Sequence, residues 1–237
     1  MRIAVVLAAA LAAAHPSAAP SDGAPGADVA TSCAQADAPL CVFRDGPLTV
    51  APDGAPLPGH PHPYHRVLTP LRFTDAAGRD WSVPRRALTD GASIPPLLVP
   101  LVGEPRAPEF VAAAALHDAA CGAGNEALPQ FHARDWEATH VMFHDALLAA
   151  GVGRARARVM FAAVYLAGPR WDDPARSLDG VPSERLVQEM EWCLRFIAIA
   201  DPDRDALIAW MRAREGALID GTATAPDFAA LGTSDAG

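Results

Sequence analysis

The sequence predicts an α+β fold, with a small antiparallel β-meander packed beside a helical core of about five helices. Three observations carry that expectation. From about Cys41 to Arg86, alternating apolar positions are punctuated by turn residues. From about Glu109 to Leu218, apolar residues recur at helical spacing between glycine and proline breaks. With 237 residues, 51% of them hydrophobic and 20% charged, the chain can bury a sizeable core.

The N-terminus reads "MRIAVVLAAALAAAHPSAAPSDGAPGADVA". One Arg, a short apolar run and then small residues is the order of a secretory signal peptide, assigned to residues 1–19 with A-x-A-like sites ending at Ala14 and Ala19. The apolar run is short for a membrane span. Residues 20–40 are Pro/Gly/Ala-rich and read as a flexible linker. Export implies a periplasmic or secreted protein, where cysteines pair. Cys33 and Cys41 are close enough in sequence to close a small loop, which would leave Cys121 for Cys193; the alternative is a set of reduced, buried thiols.

Two hairpins follow. "PLTVAPDGAPL" and "LRFTDAAGRDWSVPRR" each place turn residues between alternating apolar positions, the second with Leu71 and Phe73 before the turn and Trp81 and Val83 after it. The stretch "LTDGASIPPLLVPLVGEPRAP" is a loop, because its prolines cannot sit in a regular helix and Gly91 suits a tight turn. Pro108 then opens a helix from about Glu109 to Cys121, ended by Gly122 and Gly124. Further helices are expected at about Ala133–Ala150, Ala155–Leu166, Glu184–Ile199 capped by Ser183, and from Asp201 or Asp203 to about Leu218. The domain division is 41–168 for the central domain, 169–220 for a C-terminal helical extension and 221–237 for a disordered tail.

The net charge is −9, and every basic residue is Arg. An acidic chain without a basic patch excludes nucleic acid as a main partner. Arg154, Arg156 and Arg158 read as a solvated helix face. There is no G-x-S-x-G elbow, Walker loop or dinucleotide fingerprint.

One stretch carries chemistry in an apolar setting: "AAAALHDAAC" sets His117 and Asp118 among alanines. At about 100° per residue, Phe110, Ala114, His117 and Cys121 share one stripe, which predicts a buried His117 and an Asp118 at the edge of the buried face. A buried imidazole needs partners for its nitrogens, and a buried carboxylate needs a donor or an ion. The helix at Ala133–Ala150 supplies candidates in Thr139, His140 and Asp135. Such a set suits a base held by a hydrogen-bond acceptor, with Asp118 left to bind an ion.

The segments "VPRRALTDGASIPPLLVPLVG", "AAALHDAAC" and "WEATHVMFHDALLAAGVGRARARVMFAAVYLAG" resemble a bacterial and phage family of unknown function, from about Trp81 to Gly168. That family pairs a TDGAS-[IV]-P loop with an LHD helix and a second helix carrying an Ala-Asp step. Here Thr139 stands in place of the second-helix Asp, Cys121 in place of an aromatic, and Asp135 lies one turn before Thr139. The helix pair is in turn similar to secreted phospholipase A2, which has a His–Asp step on one helix, an Asp on its antiparallel partner, and calcium held by the Asp and a loop. The resemblance implies His117 as the base that activates water, Asp118 as a calcium ligand and Thr89, Asp90, Gly91 and Ser93 as the loop beside them, with Asp135 as the acid that would replace the missing second-helix Asp in orienting His117. Zinc ranks behind calcium.

Three function classes follow: a metal-assisted hydrolase acting on lipid or a cell-envelope component, an exported non-catalytic domain whose His–Asp cluster is structural, and a binding or phage-tail module with an apolar patch along "IPPLLVPLV". Of the other signals, His60, His62 and His65 read as a solvated loop, Glu137, His140 and His144 as a helix flank, and "DPDRDALIAWMR" as a capped helix start.

Overall fold

The computed structural model describes residues 33, 40–60, 62–91 and 107–231. The leader, most of the linker, Ser93 and the "IPPLLVPLV" stretch lie outside the described residues. Six short strands come first: β1 Val42–Arg44, β2 Ala55–Pro56, β3 Pro63–Arg66, β4 Leu71–Thr74, β5 Asp80–Val83 and β6 Leu88–Thr89. They form two antiparallel sheets, ordered β1-β4-β5 and β2-β3-β6. Consecutive strands pair in β2–β3 and β4–β5; β1 and β6 add on across longer connections.

The β4–β5 hairpin shows the sequence rule most directly. Leu71 pairs with Val83 and Phe73 with Trp81, and all four are buried on one face, as period-2 alternation requires. Its turn is held by Asp75, fully buried, whose carboxylate accepts from the backbone of Ala77 and Arg79, from Arg79 Nε and from Trp81 Nε1. Gly78 sits there at φ +74, a conformation that costs a side-chain-bearing residue.

The helices are α1 Pro108–Cys121, α2 Trp136–Ala149, α3 Arg154–Ala167, α4 Ser183–Ala200, α5 Arg204–Ile219 and the short α6 Phe228–Leu231, with a 3₁₀ turn at Pro174–Arg176. α1 packs on α2 on one side and on β5 and β6 on the other, so its alanines Ala113, Ala115 and Ala119 are all buried. α2 packs on α3, and α3 on α4. Phe73, Phe110, Phe143, Phe161 and Tyr165 fill the space between sheet and helices.

Several expected boundaries move, each for a local reason. α2 starts at Trp136 rather than Ala133 because Asp135 is its cap, accepting from Ala138 N at 2.7 Å. Ser183 lies inside α4 and makes no cap bond. Of the two candidate starts for α5, Asp203 is the cap, accepting from Ala206 N, while Asp201 ends α4 in the left-handed region. Residues 222–231, expected to be part of a loose tail, run on to α6, where Phe228 is buried under Arg195. The arginine cluster of α3 is not uniformly solvated either. Arg158 is buried and pairs with Asp201, and Arg156 pairs with Glu109 while covering Phe110.

The cysteine expectation divides. Cys33 and Cys41 form a disulfide, whereas Cys121 and Cys193 are both free thiols. α1 neighbours α2 and the sheet, and α4 neighbours α3, so the helices bearing Cys121 and Cys193 are not partners. The disulfide suggests a location outside the cytoplasm. Among the described residues no helix is long and apolar enough to cross a membrane.

Candidate active site

α1 carries its two polar residues to two different neighbours. Asp118 faces β6. Its Oδ2 accepts from Thr89 Oγ1 at 2.5 Å, and the backbone N–H of Asp90 donates to the same carboxyl. Thr89 Oγ1 in turn accepts from Gly91 N at 3.2 Å, which closes the Thr-Asp-Gly turn on itself. Asn125 completes the join. Its side chain accepts from Leu88 N at 2.8 Å and donates to Leu88 O at 2.8 Å and to Asp118 O at 2.9 Å. The end of α1 is thus stitched to β6 by a single buried amide.

Asp118 and Asp90 are both buried and act on each other as like charges. Burial first, and Asp90 second, push the Asp118 carboxyl well above the usual carboxylate range, against the pull of Thr89 and the Asp90 N–H. Tyr64 of β3 closes the cluster, bonding the Asp90 carboxylate and standing 3.2 Å from His60 Nδ1. Burial and the two carboxylates hold its phenol in the protonated form. Beside Thr89 lies a small cavity of about 160 Å³, lined by Val50, Ala51, Pro52, His65, Thr89, Gly91 and Val111.

His117 faces α2. Its Nε2 is 2.9 Å from His140 Nδ1, and its ring lies 5.2 Å from that of Phe143. Cys121 Sγ is 3.5 Å from His117 Nε2 and 3.8 Å from Nδ1, and donates to the His117 carbonyl. Burial pushes the His117 pKa down to about 4, so the ring is neutral at physiological pH. His140 is fully buried and its pKa lies well below the ordinary value, by burial first, then by His117 and Arg170. Burial and Asp118 hold the Cys121 thiol in its protonated form, so it is no thiolate nucleophile.

Two expectations about this site are corrected. Asp118 is the buried member of the pair and His117 is only partly buried, the reverse of the stripe-based reading. The cause is that α1 is covered on two sides, and the sheet takes the Asp118 side. Asp135 does not reach His117. It is exposed, and its carboxylate is occupied as the α2 cap. Thr139 turns back on its own helix to donate to Asp135 O at 3.0 Å, which leaves His140 as the orienting partner.

Other residues escaped sequence reasoning. Asn125 sits in a glycine-rich loop that gave no signal. Asp145, fully buried on α2, accepts from Ala76 N at 3.2 Å and pairs with Arg204 at 3.0 Å beside His144. Arg170 is buried against Trp136 and Tyr165 and pairs with Glu215 at 3.0 Å. Arg176 bridges Glu215, Tyr165 and Glu137, and Glu137 also pairs with Arg212. Among the described residues no three His, Cys, Asp or Glu side chains converge as a metal-binding group. His60, His62 and His65 fall under that statement.

Residues 65–164 match a family described as a protein of unknown function (DUF1353). The uncharacterized protein y4iH of Sinorhizobium fredii (strain NBRC 101917 / NGR234) is 41% identical over 108 residues, which is 45% of this chain and 42% of that protein. The uncharacterized protein y4jT of the same organism is 30% identical over 126 residues, 53% of this chain and 35% of that protein. The chain therefore spans less than half the length of these relatives. No solved structure matches. Thr89, Asp90, His117, Asp118 and His140 all fall inside the matched segment; Arg170 and Glu215 fall after it.

Proposed function

We propose that the junction of the Thr89–Gly91 turn with α1 and α2 is the centre of a hydrolase acting on an ester of a lipid or cell-envelope component, with His117 as general base. The observation that carries the reading is the His117 Nε2 to His140 Nδ1 contact of 2.9 Å on a ring that is neutral at physiological pH and belongs to a residue only partly buried. With Nε2–H of His117 donating to His140, Nδ1 keeps its lone pair. That nitrogen takes a proton from water as the water oxygen attacks the ester carbonyl, and returns it to the departing alkoxide. His140, next to the Thr139 that stands at the family's acid position, takes the orienting role on this reading.

Asp118 and Asp90 are the groups that would hold a cation. Two buried carboxylates that repel one another, with the Thr89 hydroxyl bonded to Asp118, are hard oxygen donors; they fit calcium, completed by backbone oxygens and water, and do not fit zinc. A bound calcium would supply a positive charge for the developing oxyanion. A disulfide outside the cytoplasm is consistent with an envelope substrate. The second reading, a non-catalytic module, is favoured by Asn125 and Thr89, which bond Asp118 and its carbonyl as structural ties do.

The test is release of fatty acid from phosphatidylglycerol vesicles and of p-nitrophenol from short-chain esters by the full chain, in calcium and in chelator. Turnover that needs calcium and is lost in His117→Asn, with the melting temperature held within a few degrees, is the expected result. Equal release by His117→Asn and the parent protein on every ester would leave the structural module standing.

A further inference from the structure

The small cavity beside Thr89 lies on the same side of α1 as Asp118. Val111, in its wall, precedes Asp118 by seven residues, which is two helical turns and nearly the same direction from the helix axis. The chain between β1 and β2 supplies Val50, Ala51 and Pro52 to the wall. That stretch is fixed to the sheet: Val50 bridges Val67, and Ala51 N donates to Arg66 O at 2.8 Å. Polar groups in the wall are engaged within the fold. His65 Nδ1 meets the Ala51 carbonyl at 2.9 Å, and Thr89 Oγ1 donates to Asp118 and accepts from Gly91 N. What the cavity offers a guest is therefore mostly carbon. Two small residues keep the space clear. Ala51 carries only a methyl group, and Gly91, at φ +92, carries no side chain in a conformation that disfavours one. Exposed Pro52 places the cavity at the surface. Carbon-lined space of about 160 Å³ holds water poorly, because water needs polar partners, and it takes a guest of about six carbons.

We infer that this cavity is a binding subsite for a short alkyl or acyl chain, of about six carbons at most, whose polar end lies at the Thr89–Asp118 contact. Thr89 belongs to both places: its hydroxyl holds Asp118, and the residue lines the cavity. A chain seated against Val111 and Val50 thus has its head at the Asp118 and Asp90 carboxyls. The volume excludes the long acyl chains of membrane lipids from this subsite and selects short acyl groups, butyryl to hexanoyl. That the chain is the acyl end of a substrate rests on the hydrolase reading, which it narrows to small esters. That the cavity takes a chain rests on its lining and volume alone, so the test reads binding before it reads turnover.

The experiment follows the ¹³C-labelled valine methyl groups of the full chain by NMR while 1-butanol, 1-hexanol and 1-octanol are added in turn. Saturable shifts at Val50 and Val111 are expected. The dissociation constant falls about fourfold for each methylene from butanol to hexanol and levels off between hexanol and octanol. Val111→Phe, melting within a few degrees of the parent protein, abolishes binding; Ala51→Leu fills the space from the opposite wall and serves where Val111→Phe fails to fold. Val111→Ala moves the plateau to the longer alcohol. No saturable shift at either valine in the parent protein, undiminished binding in a folded filling variant, or an affinity still rising fourfold per methylene up to octanol overturns the inference. Short-chain p-nitrophenyl esters then judge the hydrolase reading separately. Alcohol binding with no ester turned over defeats that reading and leaves the subsite standing; ester turnover with no alcohol bound defeats the subsite alone.

Discussion

The two sides of α1 solve the same problem in opposite ways. On the Asp118 side every bond points into the fold: Thr89, the Asp90 N–H and Asn125 join helix to strand. On the His117 side the ring meets His140 and the Cys121 thiol, and the residue is only partly buried. Adjacent residues on one helix are about 100° apart, so the pair can serve as both a tie and a reagent. On the proposed reading the histidine is the half placed for chemistry. The aspartate holds the turn against the helix at the cost of a strained carboxyl pair.

The largest effect that would break this contrast is on the tie. Asn125→Ala removes three hydrogen bonds at once, one buried and two part-buried, and leaves the Leu88 backbone without its Asn125 partner; a loss of about 3 kcal/mol is expected, several degrees in the melting temperature. Calorimetry showing a loss under about 1 kcal/mol would mean that the end of α1 is held by packing alone.

The next effect is on pH. His117, His140 and His144 all have folded-state pKa values below the ordinary 6.5. Groups depressed in this way contribute stability that is present above about pH 6.5 and lost as pH falls towards 4. Melting temperatures should therefore drop across that window, and His117→Asn should flatten part of the drop. A parent protein equally stable at pH 7 and pH 4.5 would contradict the burial of these rings.

The smallest effect sharpens the comparison on the Asp118 side. Its pKa is raised on folding, so its contribution is present below about pH 3.8 and is lost as pH rises through the folded-state value. Asp118→Asn removes that penalty while keeping an oxygen for Thr89. Near pH 8 it should melt within about 2 °C of the parent protein or slightly above it, a change of under 1 kcal/mol. A large loss there would show that the charge itself is needed.

Much of this was legible in the sequence, and the parts that were not share a cause. The β4–β5 hairpin could be read because Leu71, Phe73, Trp81 and Val83 alternate with polar residues, and strand pairing makes that pattern visible. His140 could be named as one of three partners because helical spacing limits what α2 can present. The sidedness of α1 could not be read. Its alanines are apolar on every face, so the helix carries no direction, and only the position of the sheet decides that Asp118 goes inside. The Cys121–Cys193 pairing failed for the same kind of reason: parity in a list of cysteines says nothing about which helices are neighbours. Asn125, Asp145 and Arg170 are tertiary ties whose partners lie 37, 59 and 45 positions away along the chain, beyond the reach of any local pattern.

Asp145 also bears on where this molecule can be cut. Its carboxylate joins the turn of the β4–β5 hairpin, through Ala76, to Arg204 at the start of α5. A version trimmed at the end of the matched segment would keep the anion and discard its cation, leaving an uncompensated charge under the sheet. The smallest piece worth expressing therefore reaches beyond the matched residues, through α5, and a failed trial of the shorter piece would say nothing about what the intact site does.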